Sequence, residues 1–122
     1  MSIKVQDLLT QKARKFGFSE NTADTQQIIL DSVNYVLDDI ENRVGIATTR
    51  VTGIGSEIDL DQQTYQSLIS IGVDFYLQDI SEYTIQSLAG VEDRYNKKLA
   101  DAQSSYYRSI DMNMKFGDSS SD

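Results

Sequence analysis

DLDQQTYQSLISIGVDFYLQDI, residues 59–80, is the stretch whose reading decides the fold. Tyr65, Leu68, Ile69, Gly72, Val73, Tyr76 and Ile80 recur at spacings of three and four, which is one side of an α-helix. Leu60, Ile71, Phe75 and Leu77 fall outside that row and widen the apolar surface well past a single stripe. A helix that is apolar on more than one side needs neighbours on more than one side. The stretch therefore reads as a central helix with the rest of the chain packed around it. Asp59 is its expected N-cap, with Gln62 at capping-box spacing. Gly72 sits mid-helix, where glycine costs about 1 kcal/mol relative to alanine. Close approach of another backbone would account for it; so would a merely tolerated glycine.

Working outward, residues 46–58, IATTRVTGIGSEI, lie just before this helix and are rich in β-branched residues. They read as an extended strand or hairpin that pairs with another chain, or as an ordered connection between helices. Before them, Ile29, Val33, Val36, Leu37, Ile40 and Val44 form the cleanest three–four alternation, predicting a helix over 25–44 that ends at Gly45. Asn21, Thr22 and Asp24 are candidate caps, and Asp24 with Gln27 has capping-box spacing. Asp38, Asp39 and Glu41 are placed on its outer side.

A first helix is expected over 3–16, with Val5, Leu8, Leu9, Ala13 and Phe16 inward and Gly17 as its stop. Lys12, Arg14 and Lys15 fall in its last turn, where cations suit the helix dipole; a contact for an acidic partner is the sharper alternative. Beyond the central helix, SEYTIQS at 81–87 reads as a turn, with Ser87 capping a last helix over 88–112. Val91, Tyr95, Leu99, Ala102 and Tyr106 share a face of that helix, and Asp93 with Lys97 is a favourable i,i+4 pair. NMKFGDSSSD, 113–122, lacks periodicity and reads as a flexible tail. The fold class is thus mainly α. It is a bundle of three to four helices in a single domain over 1–112, with one β-prone loop or hairpin at about 46–58.

Composition narrows the function. The 122 residues contain no cysteine, histidine or proline and carry a net charge of −8. Without cysteine there is no disulfide framework or thiolate metal site. Without histidine the commonest metal ligand and general acid–base group are gone. The negative charge argues against neutralising nucleic-acid phosphates. No apolar run is long enough to span a membrane, and the N-terminus does not read as a signal peptide. GIG at 53–55 is not a phosphate-binding fingerprint, and DLDQQ at 59–63 lacks the ligand ladder of a calcium loop. No cofactor, metal or catalytic residue is assigned. Seven tyrosines, residues that favour half-wet interfaces, point instead to assembly.

The order of elements resembles the small head–tail connector, or adaptor, proteins of tailed bacteriophages. The resemblance rests on VNYVLDDIENRVG at 33–45, the β-prone loop, LDQQTYQSLISIGVDFYLQ at 60–78 and VEDRYNKKLADAQSSYYRS at 91–109. It implies a virion protein of the phage neck, assembled in the host cytoplasm as a twelvefold homo-oligomeric ring under the portal protein. Such a ring meets a downstream tail or neck protein and extends the DNA channel, whose acidic wall lets DNA pass without specific binding. A ring closes through two different patches on each subunit. The loop supplies candidate subunit-interface residues Arg50, Val51, Thr52 and Ile54. Tyr106, Tyr107, Met112, Met114 and Phe116 are candidates for gripping the portal. The resemblance implies neither enzymatic activity nor a cofactor. The rival readings are an acidic DNA mimic that inhibits a DNA-binding protein, and a helical scaffold unrelated to phages.

Overall fold

The computed structural model describes residues 3–80 and 90–121, with the side chains at 79, 80 and from 111 onward excepted. The chain is mainly helical. In order it runs through β1 (Ile3–Lys4), α1 (Val5–Phe16), α2 (Ala23–Asp39), a π-helical turn (Ile40–Val44), β2 (Glu57–Ile58), α3 (Gln62–Ile80) and α4 (Val91–Ser121). The expected turn at 81–87, its cap Ser87, and Tyr83 lie outside the described residues.

Each helix starts and stops for a chemical reason. Gly17 takes a left-handed φ of 74° and Phe18 N–H returns to Ala13 O at 2.8 Å, which closes α1. Thr22 caps α2 by accepting from Thr25 N–H at 3.3 Å, so the Asp24–Gln27 capping box is not used. The helix expected over 25–44 does not stay α to its end. Gly45 N–H reaches back five residues to Ile40 O at 3.1 Å, giving a π turn, and Gly45 then reverses the chain at φ 98°. The cap of α3 is Asp61 rather than Asp59. Its carboxylate accepts from Thr64 N–H at 3.0 Å, and the Thr64 hydroxyl donates to the same oxygen. These bonds hold the Asp61 carboxyl below its ordinary range.

The core confirms the apolar faces read from periodicity. Val5, Leu8, Leu9 and Phe16 of α1 are buried, as are Ile29, Val33, Val36 and Leu37 of α2. From α3 come Tyr65, Leu68, Ile69, Val73 and Leu77, and from α4 Val91, Tyr95 and Leu99. Each such side chain contributes about 1.5 to 3 kcal/mol when fully removed from water. α3 is indeed central, with α2 and α4 on two of its sides and α1 tied to it by ion pairs. Gly72 marks the tightest contact. A Cβ there would stand 2.6 Å from Val36 Cγ2 and 2.7 Å from Tyr95 Cε1. The close approach is therefore of two side chains, one from each flanking helix, and not of a backbone.

The loop between the π turn and α3 pairs within its own chain. Ile58 and Glu57 of β2 lie antiparallel to Ile3 and Lys4 of β1. The first residues are thus a strand and not the first turn of a helix, because Val5 N–H donates to Ser56 O at 3.2 Å. α4 continues without a break past Met112, where the sequence places its end. The side chains of the tail at 113–122 lie outside the described residues.

Candidate functional site

Of the basic cluster of α1, Lys12 is buried, Lys15 reaches inward from an exposed position and Arg14 stays exposed. Lys12 is 4% exposed; its Nζ donates to Ser70 Oγ at 2.8 Å and lies 2.8 Å from Asp74 Oδ1. Lys15 Nζ donates to Asp74 Oδ2 at 2.7 Å. One buried carboxylate on α3 is thereby clamped by two ammonium groups one helical turn apart on α1. Arg14 and Lys15 do lie in the last turn of α1, where the sequence places them, but Lys12 and Lys15 pair with Asp74 of their own chain and not with an outside partner; only Arg14 of the three has no ion pair among the described residues. Burial pulls the Lys12 ammonium below its ordinary value, against the opposing pull of Asp74. A serine held by a buried lysine is the geometry of a nucleophile and its base. Ser70, however, sits mid-helix, where the neighbouring N–H groups are consumed by helix bonds and none remains for an oxyanion. The cluster therefore locks α1 to α3.

Asp39 is a second inward carboxylate that the sequence places outside. The Tyr95 hydroxyl donates to Asp39 Oδ2 at 2.7 Å, and the Tyr76 hydroxyl donates to the same oxygen. Three helices meet at this one group. Burial first, and the Asp39 bond second, push both phenols well above their ordinary value. Phe75 packs on Tyr95 with ring centroids 5.5 Å apart, and Tyr35 on Tyr76 at 5.3 Å. No sequence spacing reveals this constellation, since 39, 76 and 95 are brought together only by the packing of α2, α3 and α4.

The loop residues proposed for subunit contact divide into two sets. Val51 is buried in its own core, 5% exposed, so its side chain is not offered to a neighbour. Its main chain is gripped on both sides by one carboxamide: Asn34 Nδ2 donates to Val51 O at 3.0 Å and Val51 N–H donates to Asn34 Oδ1 at 2.9 Å. Thr48 Oγ1 donates to Leu37 O, and Arg50 Nη2 pairs with Asp38 Oδ2 at 2.6 Å. The first half of the loop is thus strapped to α2. Arg50 and Thr52 are exposed and Ile54 is half-buried, and Ser56 N–H closes a turn onto Gly53 O at 3.0 Å.

At the far end of α4, the positions that face the core run out. Leu99 is fully buried, Ala102 and Tyr106 are half-buried, Tyr107 is 51% exposed and Ile110 is 36% exposed. Tyr106 Cε2 would lie 3.6 Å, and Tyr107 Cε1 3.9 Å, from a Cβ at Gly45, so the two rings rest over the glycine that ends the π turn. Arg43 Nη1, from the π turn, donates to Asn96 Oδ1 of α4 at 2.8 Å. With 31 residues α4 is about 46 Å long against about 28 Å for α3, so it outreaches the helix it packs on. The side chains of Met112, Met114 and Phe116 lie outside the described residues. The expected Asp93–Lys97 pair does not close among the described residues.

Between α1 and the first half of α3 runs an open groove of about 420 Å³. Ile3, Leu8 and Ile71 give it apolar lining, and Gln11, Gln63 and Gln66 polar lining. Lys4 and Asp7 are its only charged residues. Sequence reading missed it because its two walls are 50 or more positions apart in the chain. No helix among the described residues is long and apolar enough to cross a membrane. Comparison with protein-family models, curated proteins and solved structures finds nothing that matches this chain.

Proposed function

We propose that this chain is a structural subunit of the neck of a tailed bacteriophage. It would assemble as a ring, twelvefold by the resemblance, between the portal and a downstream tail or neck protein. The role is one of position: the ring continues the channel through which DNA passes, and a protein of net charge −8 repels phosphates and does not hold them.

One observation carries the reading. The fully buried positions of α4 end at Leu99 while the helix goes on; Ala102 and Tyr106 stay half-buried against the core, and Tyr107 and Ile110 are exposed on a helix longer than the one it packs on. A helix end of that kind suits a hold on a larger partner, and Tyr106, Tyr107, Met112, Met114 and Phe116 are its apolar residues. The resemblance over 33–45, 60–78 and 91–109 supports the same reading. The DNA-mimic alternative requires carboxylates ranged along one outer face, whereas Asp39 and Asp74 are turned inward and bonded to tyrosine and lysine.

Native mass spectrometry tests the proposal, on the purified chain alone and then with the portal protein from the same source. A closed oligomer of about a dozen copies, alone or on the portal, is the expected result. A monomer or dimer that ignores the portal overturns it.

A further inference from the structure

We propose that the outer face of α2, from Asp24 to Asp38, docks on the basic edge of α4, from Arg94 to Arg108, of a second copy of this chain. The inference rests on the ring reading and names the two unlike patches that a ring requires.

Helical spacing builds both patches. Asp24, Asp31 and Asp38 stand seven residues apart on one line of α2, on the side away from buried Ile29, Val33 and Val36. Asp24 is exposed, and Asp31 and Asp38 are half-buried. Tyr35 lies among them, 50% exposed, its ring meeting Tyr76 on one side. On α4, Arg94, Lys97, Lys98 and Arg108 fall on one edge of the helix, with Asp101 the one carboxylate among them. Four of the chain's eleven basic residues thus gather on one edge of a protein of net charge −8. None of the four has an ion pair among the described residues. Each line covers 14 residue steps, about 21 Å, so the two match in length.

The patches lie on different sides of the subunit. The basic edge of α4 borders a cleft where Lys98, Asp101 and Ser105 face Thr64 and Ser67 of α3. The other edge of α4 carries Asn96, bonded to Arg43, and Tyr107, resting over Gly45, so that edge is the one turned to the end of α2. Tyr95 meets Asp39 and Tyr106 meets Gly45, so the α4 line starts at the level where the α2 line ends. Neighbouring bundles therefore lean along the ring to bring the two lines side by side.

Charge selects the occupant. A second copy brings to the α2 face a line of cations equal to it in length and opposite in sign, and covering the open half of Tyr35 adds apolar contact. The chain sets its own precedent for a guanidinium on this face, since Arg50 sits on Asp38 at 2.6 Å. Asp31 accepts from Gln27 of its own helix, and neither Asp24 nor Asp31 has an ion pair among the described residues. A DNA strand carries one phosphate per about 3.4 Å, so two such carboxylates over about 21 Å do not imitate it.

Charge reversal tests the pairing. Asp24→Lys with Asp31→Lys makes both patches basic, and Arg94→Glu with Lys97→Glu leaves both acidic. Each variant alone is expected to lose the closed oligomer in native mass spectra while keeping the wild-type helical signal, with the portal added if the wild type needs it. An equimolar mixture of the two is expected to recover the ring, with equal numbers of each, because every contact then joins opposite signs. Where a variant loses its helical signal, Asp24→Asn with Asp31→Asn, or Arg94→Gln with Lys97→Gln, takes its place. The neutral variants are expected to dissociate at about tenfold higher protein concentration than the wild type. A ring in either reversed variant alone, no ring in the mixture, or unchanged dissociation of the neutral variants overturns the docking proposal and leaves the ring reading standing. So does an α2 variant that closes as the wild type does but no longer binds the portal, an outcome that gives the acidic face to the portal. A wild type that assembles neither alone nor with the portal overturns both.

Discussion

At Gly72 two opposing effects can be weighed against each other. Alanine would gain about 1 kcal/mol of helix propensity. It would also drive a methyl to within 2.6 Å of Val36 and 2.7 Å of Tyr95, and overpacking of that kind typically costs about 1 to 3 kcal/mol or more. Gly72→Ala is therefore expected to lower the denaturant midpoint, with a net loss of about 1 kcal/mol or more. Val36→Ala in the same chain should recover part of that loss, a coupling that a double-mutant cycle reads directly. An alanine variant as stable as wild type would show that the two neighbours have room to give. Asp74 sets a second contrast. Asp74→Ala leaves Lys12 buried beside Ser70 without a counter-charge, and breaking a buried pair from one side costs about 3 to 5 kcal/mol. Lys12→Met leaves Asp74 its bond to Lys15 and fills the same space with apolar atoms, so it should lie within about 1.5 kcal/mol of wild type. Equal losses for the two variants would contradict the assignment of Lys12 as the costly charge.

Among the elements, the loop before α3 depends most on a single residue. Asn34→Ala would strand the N–H and C=O of the buried Val51, at a cost of about 2 kcal/mol, and free the strap that holds 46–52 on α2. Faster tryptic cleavage after Arg50 is the expected sign; unchanged cleavage would mean that Thr48 and Arg50 hold the loop unaided. The same loop marks where sequence reading stops. Helix positions and inward faces were legible because Ile29, Val33, Val36, Leu68, Ile69 and Val73 repeat with the helical period, and that period is local information. The β character of 46–58 was legible too, but its partner was not. Ile58 meets Ile3 because of how the bundle closes, and no spacing records that. Charges were the least legible. Asp39, Asp74 and Lys12 look like solvated surface in a helical row, and each is turned inward by a partner on another helix. The π turn hid inside an unbroken apolar pattern that ends at Gly45.

For the whole molecule, these inward groups fix how stability depends on pH. The unfolded chain returns Lys12 to its ordinary value of 10.5, so below that value it binds more protons than the folded chain does, and stability rises with pH on the alkaline side. Tyr65, Tyr76 and Tyr95 act in the opposite sense. Their folded values are raised above the ordinary 10.0, so the stability they lend is complete below that pH and is lost as pH climbs beyond it. The denaturant midpoint should therefore climb, crest near the ordinary phenol value and fall, and Lys12→Met should remove the climb alone. Phenolate absorbance should show these three tyrosines ionising together with loss of helix; free titration of all seven in the folded chain would contradict the burial described. The clamp between α1 and α3 also has a consequence for how the protein is made. Ser70 lies 58 positions after Lys12, and Asp74 lies 59 after Lys15. While the ribosome is still adding those residues, the first helix is already out, with two ammonium groups awaiting a carboxylate not yet translated. The ion pairs that lock α1 to α3 therefore form late, and until then α1 has only its nearer contacts with α2 and Glu20 to hold it.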